Sequence, residues 1–187
     1  MLNQNQINSY KENGFLVVPN LISKDEIEEF LVTQGGEESE EYKKYGLRRH
    51  VVDNSWSLLA NHSNVVTIVS ELIEGNPRIV QTMYMNKQPE GGTGVALHQD
   101  THYIKNEPNS LMACWLALSD TDRENGGLCV VPGSHKRLLY ETQPPSDEKE
   151  HNKWEQDYRM SDKEGNEWIE KMHAHQIVGL DPKEFVF

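Results

Sequence analysis

The spacing of apolar and polar positions divides the chain in two, with helical periodicity up to about residue 76 and short, alternating or apolar runs from about residue 77 onward. Residues 4–13 are polar apart from Ile7 and Tyr10, three positions apart, and Gly14 breaks the stretch, which predicts a short surface helix. FLVV at 15–18 reads as a short strand ended by Pro19. Ser23-Lys24-Asp25-Glu26 has the form of a capping box. Its serine can accept from the backbone three residues on while the glutamate reaches back, so a helix carrying Ile27, Phe30 and Leu31 is predicted to start there and stop at Gly35-Gly36. The acidic stretch 37–45 reads as a solvated loop or helix face. Over 64–74, Val65, Ile68, Val69, Leu72 and Ile73 recur at helical spacing with Gly75 behind them, the clearest amphipathic helix in the chain.

In the second part, residues 78–86, 95–100, 111–118 and 128–131 are short runs bounded by Gly, Pro, Asn or Asp. Two more strands are predicted at 173–178 and 184–187, around a GLDPKE turn. Strands this short and this close predict an antiparallel sandwich or barrel rather than β-α-β units. Residues 141–171 carry ten acidic and five basic side chains with Pro144-Pro145, the composition of a polar surface insertion, either a solvated excursion or a lid. The chain therefore reads as one domain over 1–187, with a mainly helical flank at 1–76 and strands over 77–187. It shows no internal repeat, which removes solenoids and propellers.

Charge narrows the partners. Eighteen Lys and Arg against 30 Asp and Glu leave a net charge of −12, unfavourable for nucleic acid or an anionic membrane because phosphates require clustered cations. No window approaches 18 apolar residues, and MLNQNQINSY lacks the basic and apolar regions of a signal peptide. A cytoplasmic location is expected, with a small-molecule substrate and no protein partner indicated. Cys114 and Cys129 each lie in an apolar run and are expected to be reduced and buried.

Candidate chemistry begins at His98-Gln99-Asp100. On a strand, positions i and i+2 share a face, so His98 and Asp100 can offer an imidazole nitrogen and a carboxylate oxygen to one metal ion. That is two-thirds of a 2-His-1-carboxylate triad, which leaves three positions open for a bidentate oxoacid and O₂ on non-haem Fe(II). Two polar residues on a solvent face give the same string. Extension to His102 permits a zinc site instead, although three ligands on one strand face strain tetrahedral geometry. PGSHK at 132–136 reads as a turn, with Pro132 and Gly133 setting the bend and Ser134 capping it.

The blocks YKENGFLVVPNLIS, TMYMNK, LHQDTHY and ACWLALSDTDRENGGLCVVPGSHK, covering most of residues 9–136, resemble the phytanoyl-CoA dioxygenase family, a branch of the Fe(II)- and 2-oxoglutarate-dependent oxygenases. The resemblance implies a mainly β fold with flanking helices: a double-stranded β-helix, a cupin-like jelly roll with its helical portion at the N-terminus. It implies Fe(II) held by His98 and Asp100, with 2-oxoglutarate as cosubstrate and O₂ as oxidant. Met83, Gln99 and Trp115 then correspond to positions around 2-oxoglutarate, and one of Arg48, Arg49 and His50 to a basic residue that holds its carboxylate. By pattern alone Met83 and Trp115 are core residues, and a regular strand turns Gln99 off the metal face. His102 and Tyr103 follow the ligand pair, as substrate-lining residues or an exposed strand end. Halogenases of this chemistry keep the carboxylate position small to admit chloride, so Asp100 implies hydroxylation.

The family pattern adds a distal histidine and a downstream arginine after a late apolar run. Here the matching run is EFVF at 184–187. The jelly-roll strands are thus expected to be incomplete at the C-terminus and the chain to be a fragment of low activity by itself. His173 and His175 sit one strand too early to take the distal role. The rival reading is a non-catalytic jelly-roll binding module, or pseudoenzyme, in which H-x-D is a relic.

Overall fold

The computed structural model describes residues 1–34, 46–85, 95–137, 139–144, 155–161, 166–173 and 176–178. Helix α1 (Gln4–Asn13) begins at a capping box between Asn3 and Gln6 and ends at Gly14, whose φ of 82° is the left-handed value that closes a helix. Helix α2 (Lys24–Thr33) starts as its sequence predicts: Ser23 Oγ accepts the Glu26 N–H at 3.3 Å, and Glu26 accepts the Ser23 N–H at 3.0 Å. The glycine pair expected to stop it, and the acidic stretch 37–45, lie outside the described residues.

Helix α3 (Asn54–Ala60) has no counterpart among the predicted elements, although Asp53 announces it by accepting the N–H groups of Ser55 and Trp56. Helix α4 (Ser63–Ile73) falls within one residue of its predicted span. Helices α2 and α3 meet at a small aromatic centre. Phe30 and Trp56 are buried with ring centroids 5.4 Å apart, and Tyr84 meets Trp56 at 5.8 Å, both edge-on. The indole N–H donates to Gln34 Oε1 at 2.7 Å, so burying the ring leaves no orphan donor.

The β portion differs from expectation. Among the described residues it forms three antiparallel two-stranded ladders: β1 (Gly46–Leu47) with β2 (Met83–Tyr84), β3 (Thr142–Gln143) with β6 (Gln176–Ile177), and β4 (Glu155–Ser161) with β5 (Glu167–His173). The runs at 15–18 and 111–118 enter no ladder, and 78–85 contributes only Met83 and Tyr84. An apolar run proposes a strand, but a ladder exists only where a second chain segment meets its N–H and C=O groups. The predicted strand at 184–187 lies outside the described residues. Conversely, the polar stretch 141–171 is not strand-free. It contributes β3, β4 and most of β5, paired from Glu155↔His173 to Ser161↔Glu167, and its charged composition hides this pairing.

Two expectations of burial are corrected. Trp115 is 48% exposed and Met83 47%, so neither is core. Cys114 is exposed and Cys129 half-buried, both as free thiols, although neighbouring atoms still hinder hydration of Cys114 enough to push its pKa up. No helix among the described residues is long and apolar enough to cross a membrane.

Candidate metal centre

The site is built on one short segment. Buried Ala96 anchors it, Leu97 O accepts the Ile177 N–H at 3.0 Å, and Gln99 is still extended. The strand expected over 95–100 does not form: residues 95–99 enter no ladder among the described residues. Asp100–His102 is a single 3-10 turn, in which the N–H groups of Tyr103 and Ile104 both reach Asp100 O at 2.9 Å.

The turn nevertheless keeps the ligand pair together. His98 Nε2 lies 3.3 Å from Asp100 Oδ1. His98 Nδ1 lies 2.7 Å from Ala96 O, and because a carbonyl only accepts, Nδ1 carries the proton and Nε2 is aimed at the carboxylate. Metal-binding histidines are oriented in this way, through the nitrogen that does not touch the ion. The Tyr103 ring meets the imidazole edge-on at 5.7 Å. The hydrogen bond to Asp100 raises the His98 pKa, opposed by burial and reinforced by the Ala96 hydrogen bond and the Asp100 charge.

Two neighbouring donors on one octahedral ion, each at about 2.1 Å, are about 3.0 Å apart. The observed pair fits that edge, and a divalent cation would displace the shared proton. Among the described residues, no group of three His, Cys, Asp or Glu gathers. The 3-10 turn at Asp100–His102 departs from the strand face on which a zinc site through His102 was expected. His173 falls on β5 opposite Glu155, and His175 lies outside the described residues.

A cleft of about 120 Å³ opens beside the pair, lined among others by His98, Gln99, Cys129, Val131, Tyr140 and Ile177. Of the residues matched to 2-oxoglutarate, Gln99 lines this cleft, with its Oε1 accepting the Tyr140 N–H at 2.9 Å; Met83 and Trp115 do not. Met83 instead sits on β2 opposite Leu47, beside the basic trio. There Arg48 donates its backbone N–H to Thr82 O at 2.7 Å, Arg49 reaches Asp53 at 3.6 Å, and His50 is hydrogen-bonded to Thr82 Oγ1 at 2.8 Å. Burial, then the Arg48 charge, lowers the His50 pKa, which favours its neutral form. Tyr140 and Ile177 were not foreseen as part of the site, and no local motif marks them; only folding brings them to His98.

A family model described as phytanoyl-CoA dioxygenase (PhyH) matches residues 10–171. The chain belongs to the phytanoyl-CoA dioxygenase family. Within it, the chain is similar to "Phytanoyl-CoA dioxygenase 1" of Oryza sativa subsp. japonica, 38% identical over 96 residues, which are 51% of this chain and 34% of that protein. It is similar as well to "Phytanoyl-CoA dioxygenase, peroxisomal" of Rattus norvegicus, 32% identical over 166 residues, covering 74% of this chain and 49% of that protein. The Homo sapiens protein of the same name is 32% identical over 157 residues, 70% of this chain and 46% of its own length. The chain spans half or less of the curated relatives it matches. No solved structure matches it. The matched span takes in the His98–Asp100 pair, the Gln99–Tyr140 link and the PGSHK turn.

Proposed function

We propose that this chain carries the iron-binding part of a non-haem Fe(II)- and 2-oxoglutarate-dependent dioxygenase that hydroxylates a small organic substrate, built on the family's jelly-roll plan. The observation that carries this reading is the His98–Asp100 pair, 3.3 Å apart with the imidazole fixed through Ala96, in a member of the phytanoyl-CoA dioxygenase family.

His98 and Asp100 would hold the ion. When bound, iron and 2-oxoglutarate supply oxygen activation and C–H hydroxylation, releasing succinate and CO₂. The chain supplies orientation and water exclusion. Ala96 O holds the histidine tautomer, and the Tyr103 edge limits rotation of the imidazole. Val131 and Ile177, both buried, wall the cleft with apolar surface. Arg48, exposed beside β2, is the residue of the basic trio best suited to an oxoacid carboxylate, since Arg49 is engaged by Asp53 and His50 favours its neutral form.

Anaerobic titration with Fe(II), or Mn(II) as a redox-silent substitute, tests the reading, followed by succinate assay with 2-oxoglutarate and O₂. Metal binding that Asp100→Ala abolishes is the expected result. If the chain ignores both metals while remaining folded, the pair is a relic and the binding-module reading replaces this one.

A further inference from the structure

Helix α1 does not line the cleft, yet its C-terminal end is held by the segment that does. A helix leaves its last four carbonyls without intrahelical partners. Here Tyr10 O accepts the Gly14 N–H at 2.8 Å, Lys11 O accepts a hydrogen bond from His135 Nε2 at 3.1 Å, and Asn13 O accepts the Gly133 N–H at 2.8 Å. Lys136 pairs with Glu12 alongside. His135 is thus joined to the helix end across 124 positions of sequence. Its ring lies over Gly14 so closely that a Cβ there would collide with Nδ1.

The other end of the same segment is cleft wall. Cys129, Val130, Val131 and Ser134 line the cleft that His98 and Gln99 face. The 3-10 turn at 134–136 has its own backbone bonds, from Ser134 N–H to Val131 O at 3.2 Å and from Lys136 N–H to Gly133 O at 3.1 Å, and its His135 and Lys136 side chains reach outward to the end of α1.

We propose that His135 is a positioning residue that seats the 129–134 wall of the His98 cleft on the C-terminal end of α1, coupling the N-terminal helix to the metal site. The effect on metal binding rests on the iron reading above; the seating of the wall does not.

Cys129 is a built-in reporter of that seating, because Cys114→Ser leaves it the one thiol of a chain with two cysteines. In that background the 187-residue chain is compared with His135→Ala, His135→Gln and Gly14→Ala by three measurements: the rate of Cys129 alkylation by iodoacetamide, the affinity for Mn(II), and the melting temperature. Loss of one hydrogen bond from the seat should raise the open population, and hence the alkylation rate, about fivefold in His135→Ala. Mn(II) binding should weaken in the same variant. His135→Gln, whose amide N–H can still donate to Lys11 O, should stay close to the parent, and Gly14→Ala, which crowds the ring and also strains the left-handed backbone at φ 82°, should raise the alkylation rate at least as much as His135→Ala. An unchanged alkylation rate in His135→Ala overturns the proposal. So does an equal change in His135→Ala and His135→Gln that tracks melting temperature, since that is general destabilisation. If the parent binds no Mn(II), the iron reading fails, and the alkylation rates still decide whether α1 seats the wall.

Discussion

Gln99, between His98 and Asp100, accepts the backbone N–H of Tyr140 on its side-chain oxygen at 2.9 Å, 41 residues downstream. The residue between two metal-ligand candidates thereby ties their segment to the opposite side of the cleft. Gln99→Ala leaves a part-buried backbone donor without its partner and should cost about 1–3 kcal/mol of stability. Urea unfolding checks this. The His98 side chain should keep its raised pKa in the variant, because none of its partners is removed.

Asp100 controls His98. With metal absent, the hydrogen bond to Asp100 raises the His98 pKa, so protonation of His98 favours the folded state. Its contribution is fully present below the unfolded value near pH 6.5 and is lost as pH rises through the higher folded value. NMR titration of the imidazole should show the raised midpoint, and Asp100→Asn should bring it down. An unmoved midpoint would mean that the 3.3 Å contact is not made in solution.

Glu26 acts in the opposite direction. The Ser23 hydroxyl and N–H, followed by His62, lower its pKa to about 2. Its contribution to the α2 cap and to the link with α4 is present above the unfolded value near 4.5 and is lost as pH falls toward 2. Melting temperatures across that window should drop more steeply for the native chain than for Glu26→Gln, which is already deprived of the charge.

Trp56 joins Phe30, Tyr84 and Gln34 at the centre of the helical part and is 6% exposed. Trp56→Ala should cost about 3–5 kcal/mol, a large share of the roughly 5–15 kcal/mol that holds a domain together. Denaturant unfolding measures it. A loss below about 1 kcal/mol would show that the aromatic centre is not a structural core.

The sequence by itself determined what is local. Helices α1 and α4 and the start of α2 were legible because a capping box, a helical apolar period and a closing glycine act within a few residues of one another. The contact between His98 and Asp100 was legible for the same reason: they are two positions apart, close enough to meet even where a 3-10 turn replaces the expected strand. The tertiary structure alone decided what needs a distant partner. Apolar runs at 15–18 and 111–118 enter no ladder among the described residues, while the charged stretch around 155–173 does, because inter-strand bonding depends on which segments meet and not on composition. The Gln99–Tyr140 tie, the Ile177 wall and the seating of His135 on α1 join residues from 41 to 124 positions apart, separations over which no spacing rule operates.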